Sequence, residues 1–437
     1  MSFTVRRVSR SYVRPTAATP SGSLELSTID RVVGMRHLVR SLHVFAAPPA
    51  ADEEVGEPRP RAPPRVLIRE ALGKALVDYY PFAGRLVDEP QGPVSARVEC
   101  TGEGAWFVDA VAGCTLQDAG LLDKHPFAVA EADLLPDAAP GVEPLDFPLM
   151  MQVTEFACGG FVVGLMSSHA MTDGLGAGQF INAVADYARG FPKPRVTPVW
   201  ARELIPSPPK LLSRPPPSPR AFQFRYLTVD LSLDGIEKAK SRIMASTGRL
   251  CSTFDVVVAK VWQARTRALR LPDPSTPVTL SFWANARHLL PKGGGAGGAA
   301  AGFYGNCFFP ATVTAASGAV GGAELAGVVG MVRGAKARLG AEFARWAAGE
   351  LAEEDPFELE FTYESLFVSE WKRLGFMEAD YGWGTPSHVV PFAALPCMPV
   401  ALIGVPPAPG TGARITTQCV EEEHMPAFRE EMEAFEK

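Results

Sequence analysis

Ten prolines fall between Pro192 and Pro219, among them Pro208-Pro209 and Pro215-Pro216-Pro217. Proline locks φ and has no backbone N–H, so a run this dense is stiff, extended and excluded from a sheet or helix interior. It stands near the midpoint of a 437-residue chain, and either half is long enough to bury its own core. The organisation expected is therefore an N-terminal domain over 1–190, a Pro-rich crossover over 191–221 and a C-terminal domain over 222–437. A second low-complexity stretch, GGGAGGAAAG from Gly293 to Gly302, reads as a surface loop. From Tyr381 to Ala413 there is no Asp, Glu, Lys or Arg, but Pro391, Pro396, Pro399, Pro406 and Pro407 break up the apolar run. That pattern predicts buried strands and loops, not a spanning helix, so no membrane insertion is expected.

Periodicity supplies the elements. In 65–79, Leu67, Ala71, Leu72, Ala75 and Leu76 share one helical face, and Pro81 follows as a stop. Residues 175–189 read as a helix with Phe180, Ile181, Val184 and Tyr187 inward. Ser252-Thr253 can cap a third helix over 254–270, and a fourth is expected over 323–350. Strands are predicted at Gly160–Ser168, Phe224–Leu231, Val278–Asn285, Val400–Gly404 and Arg414–Val420. Helices and strands do not alternate strictly, so a doubly wound parallel sheet is not indicated. Mixed sheets with packed helices in two halves, a mixed α/β (α+β) class, fit better.

A chain 47% hydrophobic and 21% charged is neither disordered nor fibrous. Its net charge of −6 gives no general grip on nucleic acid, so no nucleic-acid partner is expected. The seven cysteines are scattered and never spaced CxxC, which argues against a disulfide framework or a structural zinc site. The opening MSFTVRRVSRSYV has no apolar core of a signal peptide. A cytoplasmic, reducing location is the expectation.

One histidine stands apart. His37, His43, His125, His288, His388 and His424 sit near charged or loop residues and read as surface or partly buried. His169 instead follows the apolar run GFVVGLMSS and precedes Ala170-Met171-Thr172-Asp173-Gly174 and a helix. It lies at the end of a buried strand, where rigid elements hold catalytic groups. Three readings compete: a strand-end histidine satisfied by backbone, a metal ligand with Asp173, and a general base. No HxxxH or HxH supplies further ligands, so no metal is expected. No GxSxG elbow occurs and no cysteine adjoins a histidine, so direct transfer to a substrate hydroxyl or amine is the simplest base-catalysed scheme.

His169-Ala-Met-Thr-Asp173-Gly174 resembles the HxxxDG motif of the plant BAHD acyl-CoA-dependent acyltransferases. About 210 residues on, Asp380-Tyr381-Gly382-Trp383-Gly384 resembles that family's DFGWG, with Tyr for Phe. LVDYYPFAGRL over 76–86, FDVVVAKVWQARTRAL, Asn285-Ala286-Arg287 with Gly302-Phe303-Tyr304-Gly305-Asn306, and the terminal MPAFREEMEAF also match family segments. The resemblance spans the chain. It implies two chloramphenicol-acetyltransferase-like domains related by pseudo-symmetry, with a solvent channel between them. It also implies His169 as general base and acyl-CoA as co-substrate, with no bound cofactor. Asp173 would be structural and paired with Arg287, with Gly174 completing the motif. Asp380, Gly382, Trp383 and Gly384 would form a structural element of the second domain. Thr385 stands where the family often has Lys or Arg. Ser252 and Thr253 match a CoA-contacting position, although N-capping explains the same residues equally well.

LELSTIDRVVGMRHLVRSLHVF is similar to the grass-rich branch of the family. That likeness implies a p-coumaroyl-CoA:monolignol transferase acting as a monomer on small molecules. Benzoyl- or acetyl-CoA:alcohol transfer is the runner-up, followed by feruloyl or p-coumaroyl transfer to a sugar or amine. Two other classes compete with an active transferase. A silent family member acting as a binding protein would be expected to lack His169. A condensation domain would need HHxxxDG, but Ser168 precedes His169.

Overall fold

The computed structural model describes residues 3–32, 34–47, 62–89, 92–208, 220–290, 301–352, 354–393 and 395–436. Most of the expected loop at Gly293–Gly302, and residues 209–219 of the Pro-rich segment, lie outside these. The chain forms two compact units. The first comprises Met1–Ile205, Leu290–Cys307 and Lys372–Ala394; the second comprises Pro206–Leu289, Phe308–Trp371 and Leu395–Lys437.

The first unit is built on a six-stranded sheet in the order Val5–Val13, Ala105–Ala112, Leu149–Glu155, Phe161–Ser168, Leu38–Phe45 and His388–Phe392. Only the Ala105–Ala112/Leu149–Glu155 pair is parallel. Its inner strands Leu149–Glu155 and Phe161–Ser168 are buried on both faces. The edge strand Val5–Val13 alternates instead, with Arg6 and Arg10 outward, which blunts the open edge against stray pairing. Helices Pro64–Asp78 and Gly174–Ala188 pack together beside the sheet. A smaller sheet joins Gly22–Glu25, Gly92–Cys100 and Arg85–Glu89.

The second unit has its own six-stranded sheet: Phe308–Ala316, Pro277–Asn285, Ser365–Glu370, Val400–Gly404, Gly412–Gln418 and Tyr226–Ser232. Its central helix is Thr253–Leu269, of whose 17 residues 14 are buried. Around it pack helices Leu325–Ala347, Met425–Glu433 and Leu233–Thr247. The helix expected over 323–350 is Leu325–Ala347, preceded by a separate short helix Ser317–Gly322. Helix Leu233–Thr247 has no counterpart in the sequence reading.

The division differs from a single cut at the Pro-rich segment. His388–Phe392 pairs antiparallel with Leu38–Phe45, Val389 opposite His43. That strand brings the DYGWG segment with it, so Asp380–Gly384 belongs to the first unit and not to a domain over 222–437. Residues 191–205, read as crossover, also belong to the first unit.

Candidate active site

Strand Phe161–Ser168 ends where its pairing partner runs out. The backbone N–H of His169 donates to the His37 carbonyl (2.9 Å), and Met171 N–H turns back to the Ser168 carbonyl (3.0 Å). Three residues later the helix Gly174–Ala188 begins, capped by Asp173, whose Oδ1 accepts from Gly176 N–H (3.0 Å). Its Oδ2 accepts from Cys307 N–H (3.0 Å). His169 is thus the first of five residues between a buried strand and a capped helix. The first helical turn packs tightly: a Cβ on Gly176 would collide with the Tyr304 carbonyl, and one on Gly174 or Gly178 with Leu374.

His169 is half-buried, with its ring Nδ1 out of reach of solvent. Burial pushes its pKa below the ordinary histidine range, while Asp173, Asn306 and Asp30 act in the opposite sense. At neutral pH the ring is therefore neutral, the form in which it accepts a proton. The carboxylates favour the cation that a proton transfer would create.

A second histidine adjoins it. The rings of His37 and His169 lie 5.1 Å apart, centroid to centroid. His37 Nδ1 is 2.5 Å from the Gly34 carbonyl, which can only accept, so Nδ1 carries the hydrogen. Burial, and then the charge of His169, lower the His37 pKa to about 4. The expectation that the other histidines are surface or partly buried fails most clearly at His43 and His388, each 1% exposed. Both sit on strands whose neighbours come from distant sequence. His43 bonds Ser41 Oγ (3.1 Å), and burial lowers its pKa to about 4.

Beneath the turn lies a buried ion pair with no counterpart in the sequence reading. Arg202 Nε donates to Asp30 Oδ2 (2.8 Å), the side chains being 4% and 0% exposed. Arg202 lies in the segment taken as linker. Asp30 had one local signal, its place in Leu26-Ser27-Thr28-Ile29-Asp30, where Ser27 N–H donates to its carboxylate (2.9 Å).

The other expected residues divide between the units. Asp380 Oδ1 accepts from Gly382 N–H (2.7 Å) and Gly384 N–H (2.9 Å), and both glycines have left-handed backbones, φ 104° and 87°. Tyr381 packs on Phe45 and Trp383 edge-on against Phe161. In the second unit, Arg287 opens the short turn Arg287–Leu289 and its guanidinium reaches Asn285 Oδ1 (3.3 Å). Ser252 is the N-cap of Thr253–Leu269, and Thr253 is its first residue. Among the described residues, no group of three or more His, Cys, Asp or Glu is placed to hold a metal ion, and no helix is long and apolar enough to cross a membrane.

A family model described as the transferase family matches residues 3–435. Acyl transferase 4 of Oryza sativa subsp. japonica is 66% identical over the full length of both chains. Myricetin 3-O-glucosyl 1,2-rhamnoside 6'-O-caffeoyltransferase AT2 of Crocosmia x crocosmiiflora is 37% identical, again over the full length of both. Among solved structures, vinorine synthase superimposes with a TM-score of 0.76 at 20% identity, covering 99% of this chain and 100% of that one. TRI101 of F. sporotrichioides, complexed with coenzyme A and T-2, superimposes with a TM-score of 0.67 at 17% identity, covering 94% and 97%.

Proposed function

The chain belongs to the BAHD acyl-CoA-dependent acyltransferases, and on that premise we propose that it transfers a p-coumaroyl group from CoA to the hydroxyl of a monolignol, with His169 as general base. That it is an acyltransferase using acyl-CoA as co-substrate follows from the family. The observation that carries the mechanism is the place of His169 on its strand-end turn, half-buried, where burial also lowers its pKa. The acceptor O–H gives its proton to an imidazole nitrogen as the oxygen attacks the thioester carbonyl, forming the C–O bond and an oxyanion. Collapse breaks the C–S bond, and the departing thiolate takes the proton from the imidazolium. Such assistance is worth about 10²–10⁴-fold.

The donor choice rests on relatives and on area. Two full-length relatives, 37% and 38% identical, are named caffeoyltransferases, and caffeoyl, like p-coumaroyl, is a hydroxycinnamoyl group. A planar aromatic acyl chain also buries far more apolar surface than acetyl, at roughly 25 cal/mol per Å². The same names, which specify a glycoside acceptor, favour one second reading: transfer to a sugar hydroxyl. The cysteines form no disulfide, which fits a reducing compartment such as the cytoplasm.

The test offers equal amounts of p-coumaroyl-, feruloyl-, caffeoyl-, benzoyl- and acetyl-CoA with coniferyl alcohol, sinapyl alcohol and a flavonol glycoside, and counts the esters. Dominant p-coumaroyl esters of a monolignol are expected. Dominant acetyl or benzoyl esters, or acylation of the glycoside alone, would reject the substrate assignment. In parallel, His169→Ala is expected to fold and to lose nearly all turnover; activity within threefold of wild type would reject the general base.

A further inference from the structure

Asp30 is fully buried, yet its carboxylate collects four N–H groups: Ser27 N (2.9 Å), Arg202 Nε (2.8 Å), Asn306 N (3.2 Å) and Asn306 Nδ2 (2.7 Å). Two of these side chains reach further. Asn306 Nδ2 also donates to the backbone carbonyl of His169 (2.6 Å), and Arg202 Nη2 donates to the carbonyl of Met171 (2.6 Å). Asn306 cannot be flipped without loss, because both partners of its amide nitrogen only accept. The Arg202 fork is fixed by Trp200, whose ring centroid lies 3.9 Å from the guanidinium carbon, and Gly305 leaves it room where a Cβ would collide.

We infer that Asn306 and Arg202, gathered on Asp30, are positioning residues that clamp the backbone of the His169–Met171 turn and so set the direction of the base. A turn between strand and helix has carbonyls that neither element satisfies, and they need partners from elsewhere. Here the two that flank the turn draw their partners from one buried carboxylate hub, 139 and 172 residues away in sequence for His169–Asp30 and Arg202–Asp30 respectively. An apolar pair could stabilise this interior as well as Asp30–Arg202 does; it could not hold two carbonyls. The inference rests on the reading of His169 as general base.

The experiment compares Asn306→Ala, Arg202→Lys, His169→Ala and the double variant Asn306→Ala/His169→Ala. Turnover is measured per folded molecule, well below each melting temperature, with the acyl-CoA and alcohol that the wild type uses fastest. Asn306→Ala is expected to lower kcat about 10–100-fold, as a base misplaced by about 1 Å would, with KM for both substrates within about threefold. Arg202→Lys keeps a cation for Asp30 but loses the fork, and the same split is expected. In the His169→Ala background, Asn306→Ala is expected to cost less than about twofold more, because no imidazole remains to be positioned. A folded Asn306→Ala with kcat within about twofold of wild type, or an undiminished loss in the His169→Ala background, would overturn the clamp. Failure of both Asn306→Ala and Arg202→Lys to fold would also overturn it, making the cluster a folding element alone. An active His169→Ala would instead sink the general-base reading. An inactive His169→Ala beside a fully active Asn306→Ala would sink only the clamp.

Discussion

Ser252 offers a test in which a structural duty and a binding duty part company. The residue has extended backbone angles (φ −84°, ψ 162°), and its Oγ accepts from Asp255 N–H at 3.1 Å, while Asp255 Oδ2 accepts from Ser252 N–H at 2.9 Å. This reciprocal box satisfies two of the donors that a helix start leaves unpaired. The other Asp255 oxygen receives Lys336 Nζ at 2.7 Å, so the box is anchored. The helix it opens is the buried centre of its unit. Fraying cannot absorb the loss there, because unwinding the first turn would also pull Val256 and Val257 from the core. Ser252→Ala should therefore cost about 1 kcal/mol, within the 0.5–2 typical of a lost cap, or about 2–4 °C in Tm for a unit of this size. Ser252→Asn, a good cap, should stay within a few tenths of a kcal/mol of wild type. Urea and thermal unfolding give the stabilities, and initial rates against acyl-CoA concentration give KM. An alanine variant as stable as wild type, or an asparagine variant equally destabilised, would refute the capping argument. A raised KM for acyl-CoA in the asparagine variant would show that the hydroxyl also serves the thioester substrate.

His43 makes stability depend on pH. Folded, its pKa is about 4; unfolded, it takes a proton near 6.5. Its contribution is thus fully present above about pH 6.5 and is lost as pH falls toward 4, by up to about 3 kcal/mol. The urea midpoint should fall between pH 6.5 and 4.5, and less steeply in His43→Leu; an equal fall in both proteins would refute this. Asp173→Ala removes the acceptor for both Gly176 N–H and Cys307 N–H, at a cost of about 2–4 kcal/mol. Asp173→Asn, which keeps one acceptor oxygen, should lose less. Urea unfolding of both variants checks the order, and an alanine variant as stable as wild type would contradict it.

Local pattern was enough to find much of this protein. The capping pair and apolar spacing after Ser252 predict a helix over 254–270, and the structure has Thr253–Leu269. The apolar run before His169 predicts a strand at 160–168, and the structure has Phe161–Ser168. Both readings succeed because helix and strand periodicities, and caps, are properties of neighbouring residues. What the chain does with distant residues was not legible there. His388–Phe392 carries no mark that it will pair with Leu38–Phe45, since an apolar strand suits any sheet with an open edge, and that pairing moves the DYGWG segment into the first unit. His43 resembles an exposed histidine until strands close over it, and only then does the lost hydration lower its pKa. In the sequence Asn306 and Asp30 are marked only as members of family-like segments and Arg202 only as part of the Pro-rich stretch; nothing there brings the three together. They become a site only when folding buries a carboxylate among donors from two remote segments, because charge and hydrogen-bond energies depend on distance in space and on the exclusion of water.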